Sequence, residues 1–386
     1  MKKLAIIGAS YLQEPLIRKA KAMGVETHVF AWAANDVGEK IADRFYPISI
    51  VEKDRILEAC REIRIDGICS IASDLAMLTV NYVADRMGLI GNSPAATEKS
   101  TNKHQMRLAF EKGGDPSPRS VEVDEATDLS TLALDYPVIV KPTDRSGSRG
   151  IFKLNDASGL AEAVRGAIEQ SFEKKALVEE FVQGQEYSVE FVSFGGVHRF
   201  LAMTKKYTTN APHFIETGHL QPTPVDSACL KRVQDVVSHA LDTLGIRNGA
   251  SHSEVKIDGS GKIRIIEIGG RMGGDFIGSD LVELSTGYDF VGAVIQIALG
   301  EEPKGLNDPP VSPIGASAVR FIFSNEDIEV LNRLRKEHPE YLVMSEVHPC
   351  VGAVTDSSNR FGYFLMRADT KEKLIPYLPQ SDGIGE

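Results

Sequence analysis

The sequence predicts an α/β protein: a Rossmann-like N-terminal unit, a central α+β region and a small strand-rich C-terminal part. Three observations point there. Strand and helix signals alternate up to about residue 95, apolar strands in the centre end in charged or glycine-rich turns, and a proline-rich linker, EEPKGLNDPPVSP, starts at Glu301. In the first unit Lys3–Ile7 reads as a strand, and Pro15–Met23 as a helix with Leu16, Ile17, Ala20 and Met23 on one face, stopped at Gly24. Val25–Phe30 is the next strand. Asp54 is positioned to cap a helix carrying Ile56, Leu57, Cys60 and Ile63, Asp66–Ala72 reads as a buried strand, and Leu75–Met87 as a helix ended by Gly88. The first turn, GASYLQEP, lacks the G-x-G-x-x-G that lets a backbone approach a pyrophosphate, which weighs against a dinucleotide-dependent dehydrogenase.

From Thr101 the texture changes. Tyr136–Pro142 reads as a strand, Asp144–Gly150 as a loop, Ala157–Ser171 as a helix and Ala176–Val182 as a strand; Tyr187–Phe194 and His198–Thr204 form a hairpin about Gly195-Gly196. Beyond the linker, Ala316–Phe323 and Phe361–Met366 are short strands. The domains expected are 1–100, 101–302 and 303–386.

Composition narrows the function classes. With 42% hydrophobic and 25% charged residues, 386 residues describe an ordinary globular protein of two or three domains. A net charge of −11 argues against a general nucleic-acid surface while leaving room for a few cations around a small anion. Cys60, Cys69, Cys229 and Cys350 have neither metal nor disulfide spacing and read as reduced thiols of a cytoplasmic protein. No apolar run approaches the roughly 18 residues of a membrane span, so a soluble protein is expected.

Chemistry concentrates in Ser253–Asp275, SEVKIDGSGKIRIIEIGGRMGGD. The stretch reads as a hairpin turning at Asp258–Gly261. With an even loop, Glu254 sits opposite Ile265 and Glu267 lies one diagonal step away, Cβ atoms roughly 7–8 Å apart. Two carboxylates so close need a cation, either a divalent ion or an arginine such as Arg271; taken alone, the pair also fits a solvated hairpin with surface charges. Lys141 closes an apolar strand, and DRSGSRG follows. Its glycines free backbone amides for phosphate oxygens while Arg145 and Arg149 add charge, although by itself the segment equally fits a mobile surface loop. In VEEFVQGQE, Glu186 suits ribose hydroxyls, and the backbone of Glu180 and Val182 suits an adenine edge, although alone the segment is an ordinary strand and turn.

Together these segments resemble the ATP-grasp superfamily and, within it, the carboxylate-amine ligase branch. The order matches across nearly the whole chain: the Rossmann-like unit, TNK ending at Lys103, VIVKP with SGSRG, EEFVQGQEYSVE, SEVKI and EIGGRMGGD. The resemblance implies an N-terminal pre-ATP-grasp domain, an ATP-grasp domain with a lid at about 136–205, and ATP with Mg2+ or Mn2+ as cofactors. It implies that Lys103 and Lys141 bind phosphates and that the loop Arg145, Ser146, Gly147, Ser148, Arg149, Gly150 closes over them. Glu180, Val182 and Glu186 would hold adenosine, Glu254 and Glu267 the metal, and Arg271 the phosphoryl group in transfer. ETGHLQP is similar to an acceptor-site segment, which makes His219 either a substrate-site residue or an ordinary surface histidine. Small-molecule carboxylate and amine substrates and a homodimer are implied; a nucleic-acid or membrane partner is not. Gly269 departs from the asparagine many members carry there, which puts the second metal's side-chain ligand in doubt. Open alternatives are a glycinamide-ribonucleotide-like or bicarbonate-phosphorylating ligase, and a nucleotide-binding regulatory module without turnover.

Overall fold

The computed structural model describes residues 1–145, 147, 149–209, 215–308 and 311–380. Four parallel strands form the first sheet, β1 (Lys3–Ile7), β2 (Glu26–Ala31), β3 (Arg44–Pro47) and β4 (Gly67–Cys69), in the order β3-β2-β1-β4. Helices α1 (Glu14–Ala22), α2 (Val37–Ile41), α3 (Lys53–Ile63) and α4 (Asp74–Met87) surround it. β1 is apolar from Leu4 to Ile7 because both its faces are buried there: Ala5 and Ile7 join Ile56, Val80 and Val83, whereas Leu4 and Ile6 join Val192, Leu201, Met272 and Ile295 of the next unit. This second core fastens the two units together.

Two short helices, α5 (Pro94–Thr101) and α6 (Lys103–Gly113), lead into a small antiparallel sheet of β5 (Ser120–Val123), β6 (Val138–Pro142), β7 (Phe152–Leu154) and β8 (Ala176–Glu180), backed by α7 (Leu160–Gln170). The largest sheet has eight strands: β9 (Gln185–Phe194), β10 (Val197–Thr208), β11 (Glu216–Gln221), β12 (Gly249–Ile257), β13 (Ile263–Gly269), β14 (Ala316–Phe321), β15 (Leu342–Val347) and β16 (Gly362–Ala368). Their order is β13-β12-β9-β10-β11-β14-β16-β15. The three strands of the last segment therefore continue the central sheet through the β11–β14 ladder, in which Gly218 pairs with Arg320 and Leu220 with Ala318. Four further helices are α8 (Ser227–Leu244), α9 (Val282–Thr286), α10 (Phe290–Ala298) and α11 (Asn325–Glu337). Among the described residues no helix is long and apolar enough to cross a membrane.

Periodicity located these elements better than it located their ends. α3 is preceded by Glu52 at its cap position, so Asp54 lies in the first turn instead of capping it, and the strand expected over 66–72 shrinks to Gly67–Cys69, ahead of Ala72 at φ 58°. The hairpin register also differs. Ile257 pairs with Ile263 across a loop one residue longer than expected, and a bulge then shifts the ladder again, so Val255 faces Ile265 and Glu254 directly faces Glu267.

Phe364 on β16 is fully buried among Leu331, Leu334 and Leu374. Because β14 to β16 extend the central sheet, Phe364→Ala is expected to cost about 3–5 kcal/mol. Calorimetry should show the main unfolding transition lowered; an unchanged main transition with a separate low-temperature step would show that this segment unfolds on its own.

Candidate active site

One face of the large sheet is apolar and the other is charged. Tyr187, Val189 and Phe191 alternate with Glu186, Ser188 and Glu190 on β9; the first set joins Met203, Val255, Ile265, Val233 and Val237 in a core under α8. By pleat alternation and register, the opposite face carries Glu186 and Glu190 from β9, Lys206 from β10, and His252 and Glu254 from β12. In an unbroken ladder Glu267 would share the apolar face with Ile265. The bulge at Ile266 turns it onto the charged face opposite Glu254, and the displaced Ile266 carbonyl accepts from Arg107 Nη2 at 2.6 Å.

Each charge there has a partner. Lys206 Nζ lies 2.7 Å from Glu254 Oε1, 2.7 Å from Glu186 Oε1 and 3.6 Å from Glu216 Oε1. Burial would lower the Lys206 pKa, but these three carboxylates raise it well above its ordinary value. Burial likewise opposes ionisation of Glu254, yet Lys206 and His252 hold it well below the usual carboxylate range. His252 donates from Nδ1 to the buried Glu190 at 2.5 Å, and despite burial this partner and Glu254 bring its pKa up to about 9. Glu190 also accepts from Gly273 N at 3.0 Å, which ties the glycine-rich segment to the sheet.

Lys103 begins α6, and its ammonium donates to Arg145 O at 2.6 Å and to Glu267 Oε1 at 3.0 Å, linking the start of the glycine-rich loop to the second carboxylate. Lys141 on β6 and Glu179 on β8 share one face of the small sheet, opposite Val138, Val140 and Val178, and their side chains pair directly. Arg107 completes the triad, with Nη2 3.0 Å from Glu179 Oε2. Burial pulls the Lys141 pKa down, partly offset by Glu179; Glu179, which burial alone would raise, is kept below its ordinary value by Arg107 and Lys141. The loop that follows is anchored by Asp144, which accepts from Phe172 N and Glu173 N, and by the Arg145 guanidinium lying 4.4 Å over the Phe172 ring. Gly147, at φ 75°, has open space around it, and Arg149 is exposed. Ser146 and Ser148 lie outside the described residues. A cleft of about 560 Å³ opens between Arg145, Arg149 and Gly150 on one side and Thr355 and Asp356 on the other.

Glu180, Val182 and Glu186 flank the crossing from β8 to β9. The Glu180 amide donates to Arg119 O at 2.9 Å and is not available to a ligand, while Val182 O accepts from Lys256 Nζ at 3.3 Å. At the far end Arg360 reaches in from the last segment, with Nη1 2.8 Å from Asp275 and Nη2 3.2 Å from Glu216, its plane 3.8 Å over the Phe321 ring. Arg271 forms a two-pronged pair with Asp74 of α4, both contacts 2.8 Å. His219 is not a surface histidine. It is fully buried, sits edge-on to Phe321 and, among the described residues, neither ring nitrogen has a hydrogen-bond partner; burial holds its pKa well below the usual value, so the ring is neutral.

Glu179, Arg107, Lys206, His252 and Arg360 went unnamed in the sequence reading. Period-two alternation in VIVKP and ALVEE puts Lys141 and Glu179 on faces opposite the valines and would have found Glu179. No local pattern marks Arg360, 85 residues from Asp275 in the chain.

Residues 134–280 match the family model of the ATP-grasp domain. That match identifies this central stretch as an ATP-grasp domain. Human (Homo sapiens) carnosine synthase 1 is 25% identical over 336 residues, 78% of this chain and 40% of that protein. Alanine–anticapsin ligase of Bacillus subtilis is 26% identical over 226 residues, 52% of this chain and 48% of that protein. The chain thus spans about half the length of these curated relatives. The solved structure of an L-amino acid ligase from Bacillus licheniformis superposes with a TM-score of 0.83 at 22% identity, covering 98% of this chain and 96% of that one, so the two share a fold over nearly their whole lengths.

Glu179 supplies the negative charge for two buried cations. Glu179→Gln leaves Lys141 and Arg107 without it and is expected to cost about 3–5 kcal/mol. Thermal unfolding checks this, and an unchanged melting temperature would show that the triad carries no stability.

Proposed function

We propose that this ATP-grasp protein is an ATP-dependent ligase that joins a carboxylate to an amine through an acyl phosphate, releasing ADP and phosphate. The observation that carries the proposal is the direct opposition of Glu254 and Glu267 on the charged sheet face. On one side stand the cations Lys103 and Lys141, on the other the Glu216–Arg360–Asp275 cluster. The names of the relatives, ligases and a synthase, support the same class.

Glu254 and Glu267 are suited to a divalent ion. Their carboxylates are adjacent and about a quarter exposed, and each already accepts a cation, Lys206 and Lys103 respectively. Mg2+, or Mn2+, held there would neutralise charge on the transferring phosphoryl group. Lys103, Lys141 and the Arg145–Gly150 loop take the phosphates, with the loop amides and guanidiniums spreading negative charge. Val182 and Glu186 take the adenosine, together with the Glu180 side chain. Loop closure over the cleft shields the acyl phosphate from water. Arg271 meets the developing charge, and the Glu216–Asp275 carboxylates with Arg360 receive the polar groups of the small-molecule substrates. His219, enclosed and neutral, has no proton-transfer role in this scheme. Free thiols, three of the four buried, and a need for ATP suit a cytoplasmic setting.

The purified protein, screened with ATP and Mg2+ against pooled carboxylates and amines, is expected to release ADP only when both substrate classes are present. Glu267→Gln, which keeps size but removes a metal-binding charge, is expected to lower that turnover by roughly 10²-fold or more with the fold intact. ADP release at the wild-type rate by this variant would place the metal elsewhere, and release without any acceptor would identify an ATPase.

A further inference from the structure

Asp74 and Arg271 are 197 residues apart, yet Arg271 Nε meets Asp74 Oδ1 and Nη2 meets Oδ2, both at 2.8 Å. Asp74 is the first residue of α4, where a helix N-terminus favours a negative charge, and Ser73 caps that helix by accepting from Ala76 N. A second tie joins the same segments: Ala72 N donates to Met272 O at 3.3 Å. The Asp74 carboxylate lies against Gly269, whose φ is not in the left-handed region, so backbone conformation does not require glycine there. Space does. A Cβ at 269 would stand 2.6 Å from Asp74 Oδ1 and 3.2 Å from Arg271 Nε. Moving the carboxylate aside would break two charge-assisted hydrogen bonds at once.

We propose that Asp74 is a positioning residue that aims Arg271 from the N-terminal unit, and that Gly269 is the notch that admits its carboxylate. Arginine is long and has many rotamers; with Nε and Nη2 gripped by Asp74 and Nη1 donating to Met272 O at 3.3 Å, its planar fork is fixed at the head of the glycine-rich segment that follows Glu267. The two halves of the site are thereby aligned only when the N-terminal unit is docked. The kinetic consequence rests on the ligase proposal, whereas the clamp itself does not.

Asp74→Asn keeps shape and removes charge. It is expected to lower kcat for ADP release about tenfold or more while KM for ATP moves less than about twofold, a split that loss of stability alone does not produce. Gly269→Ala should reproduce the loss, and the double variant should fall no further than the worse single variant, because both break one contact. A substrate-independent readout is amide hydrogen exchange over residues 270–274, which is expected to quicken in both single variants. Wild-type kcat and unchanged exchange in Asp74→Asn would overturn the positioning role, and additive losses in the double variant would overturn the notch. If no substrate pool yields ADP with the wild type but exchange still quickens, the ligase proposal fails and the clamp stands.

Discussion

Charge compensation on a nearly buried sheet face is the constraint on which the site depends. Lys206 stands among Glu186, Glu216 and Glu254, and its ammonium offsets their mutual repulsion and keeps Glu254 ionised. The same economy recurs where Glu179 serves Lys141 and Arg107, and where Glu190 holds His252 charged. Such networks cost desolvation and return little net stability. They do hold cations and carboxylates in fixed places.

Backbone irregularity sets the geometry that charge alone could not. With period two, Ile265 and Glu267 belong to one face, and a regular hairpin would sink Glu267 into the apolar core under α8. One extra residue, Ile266, moves it across to Glu254, and Arg107 secures the bulge by binding the Ile266 carbonyl. A single backbone feature therefore joins the second carboxylate to the Lys141 triad.

The site is assembled from all three stretches of the chain. The central sheet supplies most of the charged groups, the first unit contributes Asp74 through α4, and the last segment contributes Arg360 because β14 and β16 continue the sheet beyond β11. The shared core of Leu4, Ile6, Val192, Met272 and Ile295 makes docking of the first unit part of folding, and so keeps α4 near the glycine-rich segment.

By itself the sequence determined the elements and most of the residue types at the site. Apolar periodicity found β1, α1, α4 and the β9–β10 hairpin, and short polar signals such as VIVKP, SEVKI and EIGGR marked Lys141, Glu254, Glu267 and Arg271, because those signals are local. Tertiary structure decided what each faces. The Glu254–Glu267 opposition came from a bulge invisible in composition, Lys206 and Arg360 acquired partners through strands distant in the chain, and His219 was enclosed by Phe321 and its neighbours instead of standing at the surface. Those outcomes depend on register and docking, which many weak contacts settle together and no short run of residues encodes.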